Sequence, residues 1–97
     1  PVEVLVTVFD ESLLLHSQKI AARLRAEGFK VASFTEAWKL TRQLKHADKI
    51  GAGFVVIIGP DEVAAGQVTI KDLQRRQQAT VVESQAGAAI RQMLAQA

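Results

Sequence analysis

The residues best suited to chemistry in this chain lie between Phe54 and Leu73, in FVVIIGPDEVAAGQVTIKDL. There an apolar, β-branched run breaks at Gly59 and Pro60 and is followed by Asp61, Glu62, Gly66 and Lys71. A carboxylate at Glu62 can accept hydrogen bonds from the amino and imino edges of an unpaired base. An ammonium at Lys71 can hold a carbonyl, a ring nitrogen or a phosphate, and together these are the means by which single-stranded RNA is read. The same two groups can equally form a surface salt bridge contributing at most about 1 kcal/mol.

A second acidic set follows the first and third predicted strands: Asp10 and Glu11 after one, Asp61 after the other. Phosphoacceptor receiver domains arrange a magnesium pocket in roughly this way, but they also need a lysine after the fifth strand, where this chain has Glu83 and Ser84. The simpler reading is that Asp10 and Glu11 stabilise a helix N-terminus. Lys39, Arg42, Lys45 and Lys49 fall within about a third of a helix circumference, opposite Leu40 and Leu44. Such a basic stripe can neutralise RNA phosphates or simply solvate a helix, and Arg75 and Arg76 extend the same charge into a later hairpin. Trp38 reads as packing rather than as a stacking platform. His16 and His46 stand far apart with no ligand-spaced neighbour. The serines fit caps and surfaces rather than a nucleophile elbow, and no glycine-rich loop follows the first strand. No catalytic residue and no metal site is assigned.

At 97 residues the chain reads as one domain that buries roughly 60 to 70% of its unfolded surface. The absence of cysteine excludes disulfides and thiol chemistry and fits a reducing cytoplasm. The apolar runs are too short for a membrane span, and PVEVLVTVF lacks the basic region of a signal peptide. A net charge of +2 permits a nucleic-acid partner without specifying one. A strand starting directly at the first residues suggests a domain taken from a longer chain.

The elements that must position these groups follow from periodicity. Glu3 to Phe9 is a strand; a helix capped by Asp10, Glu11 and Ser12 runs to about Glu27, with Leu13, Ile20 and Leu24 inward; Lys30 to Phe34 is the second strand. A helix from about Glu36 to Ile50 turns Ala37, Leu40, Leu44 and Ala47 inward. Phe54 to Ile58 reads as a strand buried on both faces, a one-turn helix occupies about Asp61 to Ala65, and Gln67 to Leu73 alternates as a half-exposed strand. Ala79 to Glu83 closes a hairpin, and Ser84 caps a last helix whose inner positions are Ala86, Ala89, Ile90, Met93 and Leu94. The βαβ start demands parallel pairing, and the short hairpin link makes the fourth strand antiparallel, so the sheet is mixed.

Three segments together resemble the anticodon-binding domain at the C-terminus of class IIa aminoacyl-tRNA synthetases, most closely the histidyl enzymes. They are Val4 to Phe29, the run KLTRQLKHADKIGAGFVVIIG, and PDEVAAGQVTIKDL. The resemblance spans nearly all of residues 1–97. It implies an α/β fold in three layers, α/β/α, around a mixed five-stranded sheet with strand four antiparallel. It implies a module that docks tRNA, specifically histidine tRNA, while a separate catalytic domain uses ATP, histidine and magnesium, with no cofactor in the module itself. The parent enzyme is expected to be a cytoplasmic homodimer. On this resemblance the anticodon contacts fall on Glu62 and Lys71, with Asp10 and Glu11 as secondary candidates, and phosphate contacts on Lys39, Arg42, Lys45, Arg75 or Arg76. A regulatory or protein-interaction domain of a synthetase-like protein is the alternative on the same scaffold.

Overall fold

The computed structural model describes residues 1–96. Two β-branched runs form its centre, β1 (Val4–Val6) and β3 (Phe54–Ile57), paired in parallel with Val4 opposite Phe54 and Val6 opposite Val56. A short β2 (Val31–Ala32) adds to the other edge of β1, again parallel. β4 (Gln67–Asp72) runs antiparallel to β3 and forms a hairpin with β5 (Gln77–Val82), giving the order β2-β1-β3-β4-β5. The mixed five-stranded sheet expected from the sequence is therefore present.

Side-chain alternation assigns the two faces. Val4, Val6, Phe54, Val56, Val68 and Ile70 pack with Ile20, Ala21 and Leu24 of α1 (Leu14–Ala26) and with Ala86 and Ile90 of α4 (Ala86–Ala95). Leu5, Val8 and Val55 face the other way, against Phe34, Ala52 and Ala47 of α2 (Leu40–Lys49). Helices thus cover both faces of β1 and β3, which is why these strands carry no polar alternation. On the α2 side β4 and β5 lie bare. Gln67, Thr69 and Lys71 pair there with Val82, Thr80 and Gln78, and the Thr69 and Thr80 hydroxyls sit 3.1 Å apart.

Four local expectations are corrected. The first helix does not use Asp10 as a side-chain cap: a 3-10 turn over Glu11–Leu13 comes first, and Asp10 Oδ1 instead accepts from the Ser12 hydroxyl at 2.6 Å. Likewise Ser84 caps nothing; it lies within a 3-10 turn over Glu83–Gln85 that leads into α4. Leu94 at the end of α4 is exposed rather than inward. The second helix begins at Leu40, four residues later than its periodicity suggests, with Lys39 extended at its N-terminus. Leu40 is exposed, and the fully buried positions of α2 are Gln43 and Ala47. Apolar spacing misplaces this face because a polar residue holds its centre. Gln43 Nε2 donates to Val8 O at 2.8 Å and to Trp38 O at 2.7 Å, while its Oε1 accepts from Val8 N at 2.9 Å. These bonds satisfy backbone groups that would otherwise be buried without partners where β1 stops pairing.

The β4–β5 turn is also held by a side chain. Asp72 is buried; its Oδ1 accepts from the amides of Gln74 and Arg75, each at 3.1 Å, and its Oδ2 from Arg75 Nη1 at 3.0 Å. Burial alone raises the pKa of this carboxyl, but the Arg75 amide and guanidinium and the Gln74 amide outweigh it and hold it below the usual 3.8. A lowered folded pKa means that this contribution to stability is complete above 3.8 and is lost as pH falls through the folded value. Asp72→Ala is expected to cost about 2 kcal/mol in urea unfolding at neutral pH, in the range for hydrogen bonds to a charged group. The gap from wild type should narrow below pH 3.8; a gap independent of pH would contradict the ionised role.

Candidate nucleic-acid interface

Where β1 and β3 end on the same side of the sheet, the chain places two turns next to each other. After β3, Gly59 is extended and Pro60 opens α3 (Pro60–Ala65), a position that suits proline because its missing N–H would have no helical partner. Glu62 folds back over this start: its Oε1 accepts from the Gly59 amide at 2.7 Å. Its Oε2 has no protein partner among the described residues. The carboxylate is half-buried, fixed by one oxygen and free at the other. Gly66, in the left-handed region at φ 67°, ends α3 and turns the chain into β4, which keeps Glu62 tied to the sheet rather than to a mobile loop.

After β1 comes Phe9, 56% exposed. A Cβ added to Gly59 would stand 2.8 Å from Glu62 Oε1 and 3.6 Å from Phe9 Cδ1, so ring and carboxylate flank one glycine. Gln43 secures the neighbouring Val8 to the loop before α2, and in that loop Trp38 packs on Phe34 (centroids 4.6 Å apart) beneath the Arg42 guanidinium, 4.0 Å from its ring centroid. Trp38 is half-buried, in keeping with its reading as packing.

Lys71 lies elsewhere. It pairs with Val55 on β3, four residues before Gly59, which is roughly 13 Å of strand. It makes no ion pair with Glu62, so the salt-bridge reading of these two groups is not realised. Lys71 instead lines a surface depression of about 430 Å³ with Arg76, Gln77 and Gln78. Arg76 adopts a φ of 56°, a left-handed conformation that costs a non-glycine residue about 1 kcal/mol. Glu62, in α3, therefore lies ahead of the start of β4, whereas Lys71 lies next to its end.

The remaining candidates divide by their surroundings. Arg75 is engaged at the surface: besides Asp72, its guanidinium donates to the backbone carbonyl of Gln96. Releasing it would leave the buried Asp72 carboxylate without its counter-charge, so a phosphate at Arg75 has to be met with the Asp72 pair in place. Lys39, Arg42 and Lys45 are exposed beside or on α2, although Lys39 precedes the helix instead of sharing its stripe. Asp10, Glu11 and Asp61 are exposed, and among the described residues no group of three His, Cys, Asp or Glu side chains is placed to hold a metal ion. The acid-pocket reading thus has no assembled site. Phe9 and Gln43 are the residues that sequence reasoning missed. Phe9 reads as the last residue of a strand, and its one distinguishing signal is an aromatic directly before an Asp-Glu pair.

Residues 3–93 match the anticodon binding domain family. The chain belongs to that family. Among curated relatives, the histidine–tRNA ligase of Wolinella succinogenes is 41% identical over 88 residues, a match covering 91% of this chain and 20% of that enzyme. The crystal structure of histidyl-tRNA synthetase from Nostoc sp. PCC 7120 superposes with a TM-score of 0.92 at 35% identity, covering 97% of this chain and 23% of that one. The RNA-binding domain of threonyl-tRNA synthetase from Cryptosporidium parvum shares the fold, with a TM-score of 0.86 at 17% identity over 96% of this chain and 24% of that one. The chain thus spans about a fifth of the length of the curated ligases that it matches. As an anticodon-binding domain it is suited to tRNA recognition.

Proposed function

We propose that this anticodon-binding domain reads the anticodon of histidine tRNA as one module of a histidine–tRNA ligase, while a separate catalytic domain of that longer chain charges the acceptor end. ATP, histidine and magnesium belong to that catalytic domain, the parent enzyme is a cytoplasmic homodimer, and its role is in protein biosynthesis. The observation that carries the reading is Glu62: a carboxylate locked by one oxygen to a rigid turn, with the other oxygen available, in a domain whose family binds anticodons. A pre-positioned acceptor of this kind discriminates bases because its partner must supply a donor at one place. Asp10 and Glu11, exposed at the neighbouring turn, are secondary contacts at the same end.

Lys71 acts at the other end of β4. Together with Arg76 it holds phosphates of the loop rather than sharing one base with Glu62. Lys39, Arg42 and Lys45 extend the same electrostatic contact along α2. The Lys71→Ala/Arg76→Ala double variant is expected to lower the slope of log affinity against log salt by roughly 1.4, the value for two single-strand phosphate contacts. An unchanged slope would remove both from the interface.

The proposal is tested by titrating the chain, by fluorescence anisotropy, with histidine tRNA and with a minihelix comprising only the acceptor arm. Binding to the whole tRNA alone supports anticodon docking. Equal binding to both, or binding to neither, would contradict it and favour a regulatory or protein-interaction module on the same scaffold.

A further inference from the structure

An aromatic side chain placed half in solvent on a small domain loses favourable burial, and Phe9 does so shortly after the buried end of β1. Val8, its predecessor, is completely buried and bonded through both backbone groups to Gln43. The ring therefore does not hang from a loose strand end: its backbone is anchored one residue away. On its other side stands Gly59, where a Cβ would come within 3.6 Å of the ring edge, so the glycine leaves the ring and the Glu62 carboxylate side by side. An exposed apolar ring and, beside it, a half-buried carboxylate held by one oxygen and unpartnered at the other are the two halves of a site for one planar heterocycle with donors on its edge.

We propose that Phe9 is the stacking platform for the unpaired base whose edge Glu62 reads. The proposal rests on the anticodon-reading function above and assigns to it a residue that the acidic and basic pattern alone does not reveal. The base lies against the exposed face of the Phe9 ring, and an amino or imino group on its edge donates to Glu62 Oε2, while Oε1 stays on the Gly59 amide. Stacking supplies affinity that is tolerant of base identity, and the carboxylate supplies selectivity for a donor edge. The exposed acids Asp10 and Glu11 directly follow this ring in sequence, which disfavours phosphate there and leaves the base as the part of the nucleotide that approaches.

The test uses the anticodon stem-loop of histidine tRNA with 2-aminopurine substituted singly at each loop position, titrated with wild type, Phe9→Ala, Phe9→Leu and Phe9→Trp. Wild type should quench one loop position strongly. Phe9→Ala and Phe9→Leu should lose that quench and bind about tenfold more weakly, whereas Phe9→Trp should restore both, because an aromatic face rather than apolar volume is required. Circular dichroism should show all three variants folded, as expected for an exposed ring. If wild type binds the stem-loop and Phe9→Ala binds it equally well with the same quench, the stacking role is wrong while anticodon reading stands. If wild type does not bind the stem-loop, both fall.

Discussion

Gln43→Leu is expected to destabilise the domain by about 3 kcal/mol or more. The substitution keeps much of the volume but leaves the buried Val8 N and Val8 O without their partner, each at a cost of about 1 to 3 kcal/mol, and also frees the part-buried Trp38 O. A domain of this size is held by roughly 5 to 15 kcal/mol in total, so this one side chain accounts for a large share. Urea unfolding followed by circular dichroism reads the loss directly. Gln43→Glu is the informative companion: it keeps the acceptor for Val8 N and removes both donors, so its cost should be comparable even though its shape is conserved. A loss below about 1 kcal/mol for Gln43→Leu would mean that water reaches these groups and that Gln43 is not the clasp between β1 and α2.

The second large effect concerns binding. Glu62→Ala should weaken binding to histidine tRNA by about 1 to 3 kcal/mol, by analogy with side chains that read base edges in DNA. The variant also frees the Gly59 amide, which removes a helix-start hydrogen bond and lowers stability by about 1 kcal/mol. Glu62→Gln separates the two roles. Its side-chain carbonyl can still accept from Gly59, so stability should stay near wild type, while the loss of charge and the added donor should lower affinity for a donor-edged base. Gly59→Ala approaches the same carboxylate from the other side, since its Cβ would meet Oε1 at 2.8 Å and push it off its present position. If Glu62→Gln binds histidine tRNA as tightly as wild type, Glu62 is a structural cap and nothing more.

The sheet topology and most element positions were legible in the sequence for a physical reason. β1 and β3 are covered on both faces, so their apolar runs stand out, and β4 alternates because only one of its faces is covered. The hairpin was legible from the shortness of its link, and the family from three separate segments. The start of α2 was not, because a period of apolar residues cannot show that Gln43 lies at the centre of the buried face and Leu40 outside it. Nor could Arg75 be told from Arg76 by type: one is locked onto a buried carboxylate and the other is left at a strained turn. The same limit applied to Glu62 and Lys71. Both belong to the segment that carries the most chemistry, yet Glu62 sits in α3 before β4 begins and the antiparallel run of β4 carries Lys71 back along β3 to face Val55. Glu62 and Lys71 are therefore two separate positions, and the exposed Phe9 ring stands beside the first of them.

If this domain reads the anticodon, its affinity must depend on the anticodon bases. The most direct measurement compares the affinity of the wild-type chain for histidine tRNA with its affinity for a transcript differing only in its anticodon bases, at one fixed salt concentration. Anticodon reading by the proposed base contact gives at least about tenfold tighter binding to the unaltered tRNA, the size of one well-placed base contact. Equal affinity for the two would contradict it.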